Sequence, residues 1–231
     1  MPSDSILILP GLDGTDLMLS EFERLCSVVR PTTVGILPGD ETLDYCGLAD
    51  QFSSMVRDVS DCHIVAESFS GPIGILLAHR YPQIVSRLTL IASFATSPVP
   101  RFATILPWSL LFKLPIPSLV ARYFFVGNYI QQVTVLRKAI RQNTAAILRH
   151  RLRLIQNVNV THELSELECS LSYLRPLNDR LVPQSCVDKI IDANPATVVH
   201  EISGPHLILE TEPESSWKRC LLYTSPSPRD S

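Results

Sequence analysis

Along the first 95 residues, short unbroken apolar runs alternate with segments whose apolar positions recur at helical spacing. Residues 5–9 carry the run ILIL and stop at Pro10 and Gly11, which predicts a buried strand ending in a turn. GLDGTD, residues 11–16, is then a loop. Residues 18–25 predict a short helix, and either 28–30 or 33–37 supplies the next strand before PGD at 38–40 closes the unit. Over residues 43–59, Leu43, Leu48, Phe52, Met55, Val56 and Val59 recur at helical spacing. Asp61 breaks that pattern, and residues 63–66 predict a strand. A helix over 71–80 follows, its apolar face drawn from Ile73, Leu76 and Leu77, and Tyr81 with Pro82 disfavours its continuation. Residues 88–92 read as another strand.

This alternation implies right-handed crossovers in a mostly parallel sheet covered by helices on both faces, an α/β core. It lapses between about residues 95 and 165, where a proline-rich approach leads to a bulky apolar run and then to one long helical stretch over 130–154. That interval reads as an inserted cap. Its Arg137, Lys138, Arg141, Arg149, Arg151 and Arg153 form a solvated face, or take part in substrate selection, and both readings can hold together. The α/β pattern resumes with a strand at 170–174, a helix at 185–191 and a strand at 197–202. A last helix is expected to begin near Glu214. Residues 220–231, CLLYTSPSPRDS, predict neither helix nor strand; they resemble adapter-derived sequence and read as a disordered or artefactual tail on a single domain of residues 1–219.

Composition narrows the function classes. With 231 residues, 45% hydrophobic and 19% charged, the chain can bury one sizeable core, which excludes general disorder. Its net charge of −3, without a long basic run, gives no attraction to nucleic acid or to an anionic membrane. Residues 106–126 are strongly apolar but are broken by Lys113, Arg122 and three prolines. A flap over an apolar cavity is therefore expected rather than stable membrane insertion. Six separated cysteines without a C-x-x-C pair fit reduced thiols. The first residues lack the basic start and long apolar core of a secretory signal, so a cytoplasmic protein is expected.

The most informative segment is HIVAESFSGPIG, residues 63–74. A strand enters, Ala66 and Ser70 flank Ser68 at minus two and plus two, and a helix leaves, which meets the steric demand of a nucleophile held in a tight strand-to-helix turn. Ser70 as nucleophile would put Pro72 at a flanking small position, so Ser68 is favoured. YLRPLNDRLVP, residues 173–183, sets Asp179 just past a strand, and EISGPH, residues 201–206, sets His206 just past the next. In a parallel sheet all three lie at one edge. Alone, each has an ordinary structural explanation; together they point to nucleophilic catalysis in the order Ser68, Asp179, His206.

With GLDG at 11–14, AESFSG at 66–71, NDRLVP at 178–183 and GPH at 204–206, nearly the whole chain resembles the α/β-hydrolase superfamily, especially its compact esterase-like members. It departs from the G-x-S-x-G form at both glycine positions, and only a few residues precede the first strand, so a minimal N-terminal sheet edge is expected. The resemblance implies a serine hydrolase of small or medium apolar esters with Ser68 as nucleophile, His206 as base and Asp179 as its orienting acid. The backbone N–H groups of Leu12 and Phe69 become the oxyanion donors. No cofactor or metal is implied, and Asp13 and Asp16 lack the companions of a metal site. A thioesterase, a carbon–carbon bond hydrolase and a noncatalytic small-molecule-binding protein are the alternatives. Trp108, Phe112, Tyr123, Phe124 and Phe125 suggest an apolar acyl or alcohol group, and Glu67 is expected to be structural.

Overall fold

An unbroken apolar run suits a strand buried on both faces, and ILIL is such a strand. The computed structural model describes residues 4–98 and 116–221. Within them β1 (Asp4–Leu9), β2 (Thr32–Val34), β3 (Asp61–Glu67), β4 (Val85–Ile91), β5 (Ser170–Pro176) and β6 (Val198–Ile202) form one sheet in the order β2-β1-β3-β4-β5-β6. Every neighbouring pair in it is parallel. Successive β1 side chains point to opposite faces. Leu7 and Leu9 join the core layer of Phe52, Ile73 and Tyr173, while Ile6 and Ile8 join that of Phe22, Ile208, Leu209 and Cys220.

Parallel pairing requires a crossover between strands. The helices that precede the cap are α1 (Ser20–Ser27), α2 (Tyr45–Arg57) and α3 (Gly71–Arg80). Asp44 starts α2 by accepting the Gly47 N–H at 2.8 Å. Between β4 and β5 come α4 (Ser118–Ala121), a π-helical turn at Arg122–Val126, α5 (Ile130–Arg141), α6 (Ala145–Asn157) and α7 (Thr161–Ser165). The chain continues with α8 (Gln184–Ala193) after β5, and with α9 (Ile208–Thr211) and α10 (Pro213–Leu221) after β6. Met18 and Leu207 meet Val126, Val133 and Leu136 in a third apolar cluster that seats the cap on the core.

The second strand forms at 32–34, where the Ile6 N–H reaches the Pro31 carbonyl and the Gly35 N–H that of Ile8. The single helical stretch expected over 130–154 is instead two helices. Thr144 turns to extended backbone and caps α6 by accepting the Ile147 N–H, which breaks the stretch at 142–144. The final helix spans Pro213–Leu221 and buries Cys220; residues 222–231, and the cap aromatics Trp108 and Phe112, lie outside the described residues. None of the six cysteines is in a disulfide, and burial pushes the Cys26 and Cys62 thiols up to about 12, leaving them protonated at neutral pH. No helix among the described residues is long and apolar enough to cross a membrane.

The tightest packing joins α3 to the sheet. A Cβ at Gly74 would meet the Ala66 Cβ at 2.9 Å, and one at Gly71 would meet Ser93 Oγ at 1.8 Å and Ser93 Cβ at 2.7 Å. Gly71→Ala should therefore cost about 1–3 kcal/mol of overpacking strain. Gly39→Ala, where nothing lies within 4 Å, should be neutral or slightly stabilising. Urea unfolding midpoints of the two variants check this contrast.

Candidate active site

The approach of α3 to β3 forces a sharp reversal at the end of the strand. Ser68 takes up the turn with φ of +48°, a conformation that costs an L residue roughly 1–2 kcal/mol. Its neighbours over-determine it. The Ser93 hydroxyl donates to the Ser68 carbonyl at 2.6 Å, and the Ser70 hydroxyl donates to the Pro10 carbonyl. Ala92, itself at φ +48°, turns the end of β4 so that Ser93 reaches this position. Tyr173 then clamps Ser93, accepting its N–H and donating to its carbonyl, both at 2.9 Å. Ser70 is fully buried and its hydroxyl is engaged, whereas the Ser68 hydroxyl faces His206.

Asp179, on the loop after β5, and His206, on the loop after β6, meet Ser68 at one sheet edge. Nδ1 of His206 lies 2.8 Å from Asp179 Oδ2, and its Nε2 lies 2.9 Å from Ser68 Oγ. The other Asp179 oxygen accepts the N–H groups of Leu181 and Val182 at 2.7 and 3.0 Å. An ionised Asp179 fixes the tautomer, because it leaves Nδ1 as donor and Nε2 free to accept the serine proton. Two backbone bonds stitch the loops together, Leu177 N–H to Ile202 and Asn178 N–H to Gly204. From the cap, the Phe125 ring stands nearly perpendicular to the imidazole with centroids 6.4 Å apart, and its carbonyl accepts the Leu207 N–H.

His206 is only 3% exposed. Burial pulls its imidazolium down, but the Asp179 carboxylate, aided by Glu67, outweighs that and leaves the pKa above the ordinary 6.5. Burial likewise opposes the Asp179 carboxylate, yet His206 and the two backbone amides hold its pKa below 3.8.

Glu67 points inward, 1% exposed, against Gly11 and the carboxyl of Glu210. Glu67 Oε1 and Glu210 Oε2 otherwise find no hydrogen-bond partner among the described residues. Burial raises both carboxyls, Glu67 to about 7, so the pair keeps a proton at neutral pH. Leu12 lies on the loop beside Ser68: a Cβ on Gly11 would stand 4.0 Å from the Ser68 Cβ. Phe69 follows Ser68 in the turn, with its ring buried 5.1 Å from that of Tyr45. Among the described residues no group of three or more His, Cys, Asp or Glu is arranged to hold a metal ion.

The sequence pattern gave no warning of two participants. Glu210 lies in the short helix after His206, and Arg151, expected on a solvated cap face or in substrate selection, is buried against the GLDG loop. Gly14, at φ +70°, carries a trace of the second, because a side chain there would occupy the guanidinium's position.

These shifts fix the pH response. His206, raised in the folded state, contributes stability in full below pH 6.5 and loses it as pH rises through its folded value; Asp179, lowered, contributes above pH 3.8 and loses it as pH falls through its own. Glu67 is protonated in the folded state while ionised in the unfolded chain between pH 4.5 and about 7, so stability declines as pH rises across that window. Glu67→Gln should flatten this decline in denaturation curves taken at pH 5 and 8. NMR titration should find His206 above 6.5, lowered by Asp179→Asn and less so by Glu67→Gln. A pH slope equal to wild type in Glu67→Gln would refute the assignment.

No protein-family model and no curated protein matches the sequence. Solved structures do match in three dimensions. An esterase from Exiguobacterium antarcticum superposes with a TM-score of 0.79 at 12% identity, covering 96% of this chain and 92% of that one. A carboxylesterase of the thaumarchaeon Nitrososphaera gargenis gives 0.79 at 13% identity over 96% and 89% of the two chains. The enol-lactonase from Burkholderia xenovorans gives 0.76 at 13% identity over 95% and 90%. What these chains have in common with this one is the α/β-hydrolase fold, which here carries a helical cap between its fourth and fifth strands.

Proposed function

We propose that this chain is a serine hydrolase that cleaves a small or medium apolar carboxylic ester through an acyl-enzyme. The observation that carries the reading is the continuous contact from Asp179 through His206 to Ser68, at 2.8 and 2.9 Å, on a serine held at positive φ. Ser68 Oγ attacks the carbonyl carbon while its proton passes to Nε2 of His206, and Asp179 stabilises the imidazolium. The N–H groups of Leu12 and Phe69 donate to the oxyanion of the tetrahedral intermediate. On collapse, His206 returns the proton to the departing alcohol. Water, activated by the same imidazole, then attacks the acyl carbon and releases the acid and free Ser68 Oγ.

Phe125 gives the catalytic imidazole an apolar wall, which supports an apolar substrate group. The steps serve a thioester equally, with a thiol leaving in place of the alcohol, and one structurally similar protein is an enol-lactonase, so a cyclic ester is a further form of the same chemistry. We read the chain as one domain with residues 95–165 as its cap, acting in the cytoplasm on a small molecule. Its cysteines outside disulfides and its charge of −3 are in keeping with that reading.

With a panel of p-nitrophenyl esters, Ser68→Ala should lower turnover by about 10³-fold or more and abolish labelling by a serine-reactive phosphonate. Ser70→Ala should still be labelled. Because attack needs neutral His206, kcat/KM should rise with pH along a limb centred above 6.5. Undiminished turnover in Ser68→Ala rejects the reading, and matched ester and thioester substrates rank the two leaving groups.

A further inference from the structure

A buried arginine without a carboxylate in contact is expensive to maintain. Arg151, in α6 of the cap, is 2% exposed, and no acidic oxygen lies within ion-pair distance of it among the described residues. Its guanidinium is instead spent on carbonyls: Nη1 donates to Leu12 at 2.7 Å, and Nη2 to Leu37 and Pro38 at 3.3 and 3.2 Å. Asp13 supplies an opposing charge but no ion pair, and its Oδ2 accepts the Thr15 N–H and hydroxyl instead.

Every carbonyl of the Gly11–Gly14 turn is thereby taken. Gly11 accepts the Gly14 N–H and Gly14 accepts the Leu37 N–H, both at 3.0 Å. Leu12 accepts from Arg151, and Asp13 accepts from Asn143 Nδ2 at 2.7 Å, with Asn143 in the break between α5 and α6. In a trans peptide the N–H points opposite to the C=O of the same unit. The bond on Gly11 therefore directs the Leu12 N–H away from the turn's interior, and no protein atom among the described residues accepts it. Two of the four restraints that hold this orientation come from the cap.

We propose that Arg151 and Asn143 are positioning residues: the cap grips the carbonyl side of the GLDG turn and so keeps the Leu12 N–H aimed at the substrate oxygen above Ser68. This rests on the hydrolase reading given above. It makes the inner face of the cap a brace for the oxyanion loop, and it ties Gly14 to the same role, since a Cβ there would stand 2.6 Å from Arg151 Nη1. A donor that is already aimed acts only on the charge that develops in the transition state, so its misalignment appears in kcat.

The full chain is assayed with one p-nitrophenyl ester and with a trifluoromethyl ketone, whose serine adduct carries the oxyanion. Arg151→Ala should lower kcat by about 10- to 100-fold with KM changed less than about threefold. Trifluoromethyl ketone affinity should fall in parallel, and added guanidinium should restore part of kcat. Asn143→Ala, which removes one neutral bond to the turn and a long one to the Ala139 carbonyl at a half-buried site, should show the same pattern with a smaller drop, and it carries the test if Arg151→Ala does not fold. Unchanged kcat in a folded variant, a rise confined to KM, or unchanged inhibitor affinity would overturn the proposal while Ser68→Ala stays inactive. Turnover that survives Ser68→Ala would instead overturn the hydrolase reading and this inference with it.

Discussion

The structure depends on how closely α3 approaches β3 and β4. That approach leaves room only for hydrogen at Gly71 and Gly74, and it drives the strand end into a turn that Ser68 must make at positive φ. Strain of this kind persists only where the surroundings allow no alternative. Here Ser93 grips the Ser68 carbonyl, Tyr173 grips Ser93, and Ser70 fastens the turn to Pro10 at the end of the neighbouring strand. The serine is held by the packing of the whole sheet edge, and the loops carrying Asp179 and His206 need only reach it.

Around that turn the protein buries five ionisable groups and deals with them in three ways. Asp179 and His206 answer one another, and backbone amides take the remaining carboxylate oxygen. Arg151 is answered by carbonyl dipoles. Glu67 and Glu210 keep a proton between them, since two buried carboxylates facing each other could not both stay ionised. Asp179 and Glu67 together place negative charge beside His206, which raises its basicity, and the Arg151 guanidinium sits against the carbonyls of the GLDG loop.

The insertion between β4 and β5 belongs to this network. Its π-helical turn lays Phe125 against His206, Gln132 donates to the Glu210 carbonyl, and Tyr129 reaches Glu212. Arg180, next to Asp179, stacks on Tyr123 at 3.9 Å. Both halves of the site, the histidine loop and the GLDG loop, are therefore in contact with cap residues, and the cap cannot shift far without disturbing the geometry of one of them.

Much of this was legible in the residues alone, for a local reason. Ile6 to Leu9 read as an inner strand because a strand covered on both faces buries consecutive apolar side chains and Pro10 with Gly11 ends the run too soon for a helix, and α3 was bounded by Gly71 and by Tyr81 with Pro82. Small residues on either side of Ser68 marked the turn, because sterics at a strand-to-helix junction act over two or three positions. The second strand and the break at 142–144 were harder, since edge pairing and a single cap bond outweighed the pattern there. Tertiary structure alone decided which of six cap cations turns inward and which acid pairs with Glu67. Arg151 lies 139 residues from Leu12, and Glu210 is far along the chain from Glu67, so no periodicity links them. A cation in an amphipathic helix reads as solvated until a distant loop presents it with carbonyls. The sequence determined the scaffold and the turn; the fold chose the partners, because burying a charge depends on what other segments bring to meet it.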